Sequence, residues 1–202
     1  MGAPLSLLPR DGVITYHQAV FREPLADELL SALVRELPWE QHDARFFGRS
    51  VPLPRLTTWF GPLEYAYSGV VHPPRPMPPL VAEIRDAIAP WCGPADSVLA
   101  NLYRSGRDSV AWHADDEVIW GPDPLIGSVS FGATRRFVLR HRELGERVAI
   151  DLEHGSLLVM AGRTQQCWLH AIPKTAATVG LRVNLTFRRI ARPAELRGPR
   201  HV

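Results

Sequence analysis

From Gly93 onward the chain is a succession of short runs, alternating or rich in β-branched residues, each cut off by Gly, Pro or Asp: Ser97–Tyr103, Ile126–Phe131, Arg136–His141, Val148–Leu152, Ser156–Met160 and Leu181–Arg188. Such runs suit pleated strands, and the short connections between them suit antiparallel pairing. Two helices are expected upstream. Pro24–Leu37 carries Leu25, Leu29, Leu33 and Leu37 at spacings of four, opens on a proline at a first-turn position and stops at Pro38. The second has Leu80, Ile84 and Ile88 on one stripe and should end at Pro90. Between them, Arg45–Val71 mixes aromatics with Gly48, Gly61, Gly69 and several prolines, which predicts short strands and exposed turns before a proline-rich connector, His72–Pro79. Two helices leading into about eight strands predict an α+β, mainly β fold, a jelly-roll with its helices packed on one sheet.

A chain of 202 residues that is 46% hydrophobic and 22% charged can build its own core, so a disordered or fibrous protein is excluded. Nowhere do 18 apolar residues run without a charge or proline, and no membrane partner is expected. The start MGAPLSLLPR does not read as an export signal, and Gly2 with Ser6 fits a lipidation pattern so short that chance supplies it often. Cys92 and Cys167 form neither a disulfide framework nor a metal knuckle, so a reducing, cytoplasmic setting is expected. Lys174 is the only lysine among 23 basic residues. Arginine forks suit phosphates and carboxylates, although GC-rich coding would produce the same bias. Composition therefore permits a nucleic-acid partner without requiring one.

His113-Ala-Asp115 sets two metal-competent side chains at i and i+2, on one face if the segment is a strand. His141-Arg-Glu143 has the same form, but it sits among Arg140, Arg142 and Arg147, where a cation is repelled and a solvated charge cluster is expected. His113 instead precedes Asp116 and Glu117. A third ligand must come from elsewhere, and His170, after the turn Gly162–Gln166, is the best-placed candidate. Two imidazoles and one carboxylate leave three octahedral positions open, as a non-haem Fe(II) oxygenase needs for a chelating co-substrate and dioxygen; the same triplet also suits zinc. The run Leu181–Arg188 favours iron. Arg182, Asn184, Thr186 and Arg188 alternate there with apolar residues, and two arginines on one strand face suit a dicarboxylate such as 2-oxoglutarate. Asn101 and Tyr103 alternate in the same way and would complete that polar wall. Because imidazoles must be neutral to bind metal, protonation of His113 and His170 is expected to lower activity in mild acid.

Asn101-Leu-Tyr103, His113-Ala-Asp115-Asp116-Glu117, Ser128–Gly132, His154–Leu158, His170 and Arg182–Arg188 together resemble the AlkB-type Fe(II)/2-oxoglutarate-dependent dioxygenases, which oxidatively remove alkyl groups from nucleobases. The resemblance runs from about Arg45 to Ile190 and implies a double-stranded β-helix. It also implies Fe(II) on His113, Asp115 and His170, with 2-oxoglutarate held by Asn101, Tyr103, Arg182, Asn184, Thr186 and Arg188, and O2 as the oxidant. Arg182 would reach the distal carboxylate of the co-substrate, and Arg188 would lie toward the metal.

The front half looks most like the subgroup acting on double-stranded DNA. Phe46-Phe47-Gly48, followed by Pro52, Pro54 and Arg55, is similar to that subgroup's hairpin finger. By that match Phe47 wedges into the base stack beside a flipped base, and Gly48 and Arg49 complete the contact. Tyr65 and Tyr67 match the lid of the base pocket, although the subgroup's second aromatic is not a tyrosine. A carboxylate beside a ring-methylated, cationic base lowers its energy relative to the neutral base. Asp116 and Glu117 can supply that charge or orient a neighbour, and by the match Asp116 accepts from the exocyclic amine.

The expectation is a single domain, 1–202, in which 1–95 supplies the helices and nucleotide-recognition lid and 96–190 the catalytic core. Its partner would be alkylated DNA of the 1-methyladenine or 3-methylcytosine type, met by a monomer in the nucleoid of a bacterium or the nucleus of a eukaryote. Two other readings stand beside this one. The first is the same chemistry on RNA, protein or a small molecule. The second is a non-catalytic DNA-binding module with an empty or zinc-filled triad, its contacts made by Arg188, Arg189, Arg192, Arg197 and Arg200.

Overall fold

The structure, a computed structural model, describes residues 6–46, 49–67 and 69–192. The chain begins with β1 (Val13–His17), α1 (Leu25–Glu36), the hairpin β2 (Asp43–Phe46) and β3 (Arg49–Pro52), then β4 (Leu56–Phe60), β5 (Tyr65–Tyr67), β6 (Val70–His72) and α2 (Pro79–Cys92). Eight strands follow: β7 (Ser97–Tyr103), β8 (Val110–His113), β9 (Ile126–Gly132), β10 (Arg135–His141), β11 (Arg147–Leu152), β12 (Ser156–Ala161), β13 (Trp168–Ile172) and β14 (Arg182–Arg188). A short helix, α3 (Thr164–Cys167), leads into β13.

Ten of the described strands form two antiparallel sheets, while β2 with β3 and β5 with β6 pair as separate two-stranded sheets. The larger has the order β1-β12-β9-β14-β7-β4 and the smaller β11-β10-β13-β8. Their facing surfaces share a core in which Ile126, Leu158 and Met160 of the larger sheet meet Phe137, Leu139, Ile150 and Trp168 of the smaller. This is the jelly-roll that the strand pattern predicts.

Both helices lie on the outside of the larger sheet. Leu29, Leu33, Ile84 and Ile88 pack there against Val129, Phe131, Val183, Leu185 and Phe187. Leu33 is fully buried, so Leu33→Ala costs about 2–5 kcal/mol in lost transfer energy and cavity. Gly127 lets α2 come this close, because a Cβ there would lie 2.7 Å from Cys92 Sγ.

Three details depart from the sequence expectation. Leu25 is 50% exposed, and Ala26, one residue on, takes its place in the interface. α2 runs through Pro90 to Cys92, its end closed by a hydrogen bond from Gly93 N–H to the Ala89 carbonyl. β1, which no alternating run announced, pairs with β12 and closes one border of the larger sheet.

Candidate active site

β8 and β13 are neighbours in the smaller sheet, and their register sets His113 opposite His170, with ring centroids 4.2 Å apart. β8 ends at His113, so Asp115 reaches the same point from a loop rather than from the strand face. Asp115 Oδ1 lies 3.9 Å from His113 Nε2, and one donor atom from each of the three residues lies within 4.8 Å of the others. His113 Nδ1 is 2.8 Å from the Ala111 carbonyl. A carbonyl only accepts, so Nδ1 carries the proton and Nε2 keeps its lone pair for a metal.

Asp115 is buried, and its Oδ2 accepts from Arg188 Nη2 at 2.6 Å and Nε at 3.2 Å. Its Oδ1 has no hydrogen-bond partner among the described residues, nor has His170 Nδ1. Burial alone would raise the Asp115 pKa, but the Arg188 charge beside it holds it down at about 2, so the group is an anion at neutral pH. An anionic oxygen left unpaired between two imidazoles fits a divalent cation, and the donor set fits Fe(II). Burial pushes His170 down to about 3 and lowers His113 as well. His170 is therefore neutral in mild acid, which corrects the expectation that mild acid would protonate it, and His113 is shifted in the same direction.

Behind the triad a cavity runs between the two sheets. Asn101, Tyr103, Arg182, Asn184, Thr186 and Arg188 all line it, as do Arg55, Ser128 and Met160. Every residue of β14 is buried, so its polar face is the inside of the barrel and its apolar face lies under the helices. Arg182 donates from Nη2 to Ser130 Oγ at 2.9 Å and lies over the Tyr103 ring, while its Nε and Nη1 have no partner among the described residues. Asn184 donates to Ser128 Oγ and the Val129 carbonyl and accepts from Thr186 Oγ1. Three guanidinium groups and a single carboxylate face this cavity. A buried cation without its anion is costly, and a dicarboxylate would supply the missing charge. Gly132 lies beside Arg182 in the ladder at φ +88°, where a Cβ would collide with the Leu181 carbonyl.

Beside Arg188, whose guanidinium lies over the Trp120 ring, Tyr65 is 1% exposed, its ring stacked on Trp59 at 4.6 Å and close to Trp120. Its hydroxyl donates to Glu117 Oε1 at 3.0 Å, and Trp120 Nε1 donates to Glu117 Oε2 at 2.8 Å. Asp116 is exposed and accepts from Arg142 Nη2 at 2.7 Å. The three successive acids thus have three different partners. Tyr67 lies on β5 with Tyr65, and Arg49 opens β3 opposite Phe46. Phe47 and Gly48 lie outside the described residues, as do Arg197 and Arg200.

Two residues of the site carried no sequence signal of their own. Arg55, read as part of the finger, is buried and donates from Nε to Asn101 Oδ1 at 2.9 Å. Gln165, read as part of a turn, accepts the Asp115 N–H on Oε1 at 3.0 Å.

The rival motif resolves differently. His141 is buried rather than solvated, with Nδ1 accepting from the Glu143 and Leu144 amides and Nε2 facing Asp11 Oδ2 at 3.3 Å. Glu23, Asp27 and His154 also cluster, but His154 Nδ1 accepts the Gly132 N–H at 2.8 Å, which puts the proton on Nε2 toward Asp27. A metal would have to displace it.

A jelly-roll with two histidines and one carboxylate at one end of a cavity, and a buried arginine further in, defines a class of metal-dependent oxygenase. Residues 12–188 match the family model described as the 2OG-Fe(II) oxygenase superfamily. Human alpha-ketoglutarate-dependent dioxygenase alkB homolog 3 is 42% identical over 176 residues, covering 82% of this chain and 62% of its own length. Human DNA oxidative demethylase ALKBH2 is 35% identical over 194 residues, covering 89% of this chain and 74% of its own. The solved structure of OsALKBH1 superposes with a TM-score of 0.61 at 18% identity over 87% of this chain and 97% of that one, a likeness of fold. The chain belongs to the 2OG-Fe(II) oxygenase superfamily, in its AlkB-type branch, whose cofactors are Fe(II), 2-oxoglutarate and O2. It spans about 62% of the length of the alkB homolog 3 relative.

Proposed function

We propose that this chain repairs DNA by oxidative dealkylation of N-alkylated bases of the 1-methyladenine and 3-methylcytosine type. One observation carries this reading: a histidine, carboxylate, histidine triad and a buried, incompletely paired Arg182 line one cavity, and Arg188, which lines it too, lies over the Trp120 ring beside Glu117 and Tyr65. The kinship with a DNA oxidative demethylase supports DNA as the substrate.

In this reading His113, Asp115 and His170 hold Fe(II). Arg182 takes the distal carboxylate of 2-oxoglutarate, and Asn101, Tyr103, Asn184, Thr186 and Arg188 shape the rest of its berth. When bound, the metal couples oxidation of the N-alkyl carbon by O2 to decarboxylation of 2-oxoglutarate to succinate and CO2. The hydroxylated carbon would then leave as an aldehyde, the C–N bonding pair returning to the ring nitrogen and the hydroxyl proton passing to solvent. Arg188 keeps Asp115 anionic and oriented throughout. Asp116, exposed and paired with Arg142, would offer negative charge to a cationic base, and Glu117, braced by Tyr65 and Trp120, would add to that field.

The domain arrangement expected from sequence is part of the proposal: one unit, acting as a monomer, with residues 1–95 contributing the recognition surface. So is a duplex substrate with its target base flipped out and Phe47 filling the gap. The enzyme would act wherever the DNA resides, and no described helix is long and apolar enough to cross a membrane. The test is mass spectrometry of methylated oligonucleotides, single-stranded and duplex, incubated with Fe(II), ascorbate and 2-oxoglutarate. Loss of the methyl group with release of formaldehyde is expected, and turnover of 2-oxoglutarate with no change in any oligonucleotide would refute the substrate.

A further inference from the structure

The loop that carries Asp115 and Asp116 lies outside the strands. β8 ends at His113, and regular structure resumes only at the turn Val118–Trp120. A loop normally lets a side chain wander, yet a metal ligand must be held within a fraction of an ångström. Asp115 is steadied at its side chain by Arg188 and at its backbone by the buried Gln165, whose Oε1 accepts the Asp115 N–H. Gln165 Nε2 points at Met160 Sδ, 3.4 Å away, which fixes which end of the amide faces Asp115. The main-chain carbonyl of the same residue accepts from Arg142 Nη2 at 3.2 Å, and that nitrogen also donates to Asp116 Oδ2 at 2.7 Å. Arg142 is itself anchored, its N–H donating to the Cys167 carbonyl at the other end of α3.

We propose that Gln165 is the positioning residue of this site, holding Asp115 directly and Asp116 through Arg142, so that metal geometry and the acid offered to the base are set from one point. A net protein hydrogen bond is worth about 1 kcal/mol, and more when its loss strands a buried group. The metal arm stands on the triad alone, whereas the Asp116 arm rests on the function proposed above.

The test compares Gln165→Met, of similar length but without the acceptor, with Gln165→Glu, whose protonated form keeps one. Binding of Mn(II), a redox-inert probe of the triad, is measured by electron paramagnetic resonance. Exchange of the Asp115 amide is followed in the metal-free protein. Gln165→Met should weaken Mn(II) binding about tenfold and speed Asp115 exchange by at least as much, with a thermal midpoint close to wild type, and Gln165→Glu should recover most of both. Arg142→Met should leave Mn(II) affinity intact and lower the preference for 1-methyladenine over its neutral counterpart. Unchanged Mn(II) binding and amide exchange in Gln165→Met would overturn the proposal. If that variant does not fold, the wild-type protein decides: an Asp115 amide exchanging as fast as an open loop overturns it, and one protected like its strand neighbours upholds it. None of the metal or exchange readouts needs a DNA substrate, so failure of the repair reading would show separately, as absent dealkylation with these effects intact.

Discussion

Arg188 holds Asp115 by one oxygen only. Its Nη2 and Nε both converge on Oδ2, while Oδ1 is left facing His113 at 3.9 Å, and both side chains are buried. The guanidinium thus decides which oxygen is available to a metal, and it is the chief reason that the carboxyl stays ionised despite its burial. Removing it strands a buried anion, a loss of about 3–5 kcal/mol in comparable pairs. Arg188→Met should lower the denaturant midpoint of the metal-free protein accordingly. Because the folded pKa is depressed, the wild-type pair contributes fully above the usual carboxylate value and is lost as pH falls toward 2, so the difference between wild type and variant should shrink in strong acid.

Arg182 makes a simpler prediction. Its Nε and Nη1, without a hydrogen-bond partner among the described residues, suit one carboxylate, and charge-assisted bonds of about 1.5–3 kcal/mol correspond to roughly ten- to hundredfold in affinity. Calorimetry of 2-oxoglutarate binding to Mn(II)-loaded Arg182→Met should show that loss, and Arg182→Lys should recover only part of it, since an ammonium keeps the charge but not the fork.

His72 gives the fold a pH dependence away from the metal. Burial, with the neighbouring His42 adding to it, pushes its pKa from 6.5 down to about 4. The unfolded chain then binds a proton that the folded chain refuses, so stability falls as pH drops through that window, by up to about 1.4 kcal/mol per unit. Thermal melts between pH 7 and 4.5 should fall less steeply for His72→Phe than for wild type.

Tyr65→Phe removes the hydroxyl that braces Glu117 and keeps the ring stacked on Trp59. The effect should appear in kcat/KM for the methylated base, a drop of about fivefold for a bond of about 1 kcal/mol, with 2-oxoglutarate affinity unchanged.

Phe47→Ala should cost far more activity on methylated duplex than on methylated single strands, if the side chain fills the place of an extruded base. Equal losses on both substrates would remove the wedge from the account.

What could be read from the sequence was what depends on local period. Arg182, Asn184, Thr186 and Arg188 are visible together because a strand repeats every two residues, and His113 with Asp115 is visible because they are close in the chain. Which face of β14 is wet was not legible in that way: the usual rule puts polar residues outside, and here the helices cover the apolar face and leave the polar one to the cavity. Arg55 and Gln165 have no periodic signature, since each acts on a residue about fifty positions away. His141 was misread for the opposite reason. Its neighbours in sequence are arginines, but alternation along β10 turns His141 inward with Phe137 and Leu139 and leaves Arg140 half-buried on the other face, and the linear neighbourhood hid that period.

The larger sheet is bordered on one side by β1 and on the other by β4, both drawn from the first sixty residues. A fragment trimmed to the eight later strands would carry every group proposed to bind iron, yet would present two raw ribbon margins whose unpaired amides and carbonyls invite another copy to add on. The early segment therefore works as a selvedge for the barrel as well as supplying α1 and α2 that cover its larger sheet, and versions of this chain trimmed that far should precipitate as stacked assemblies.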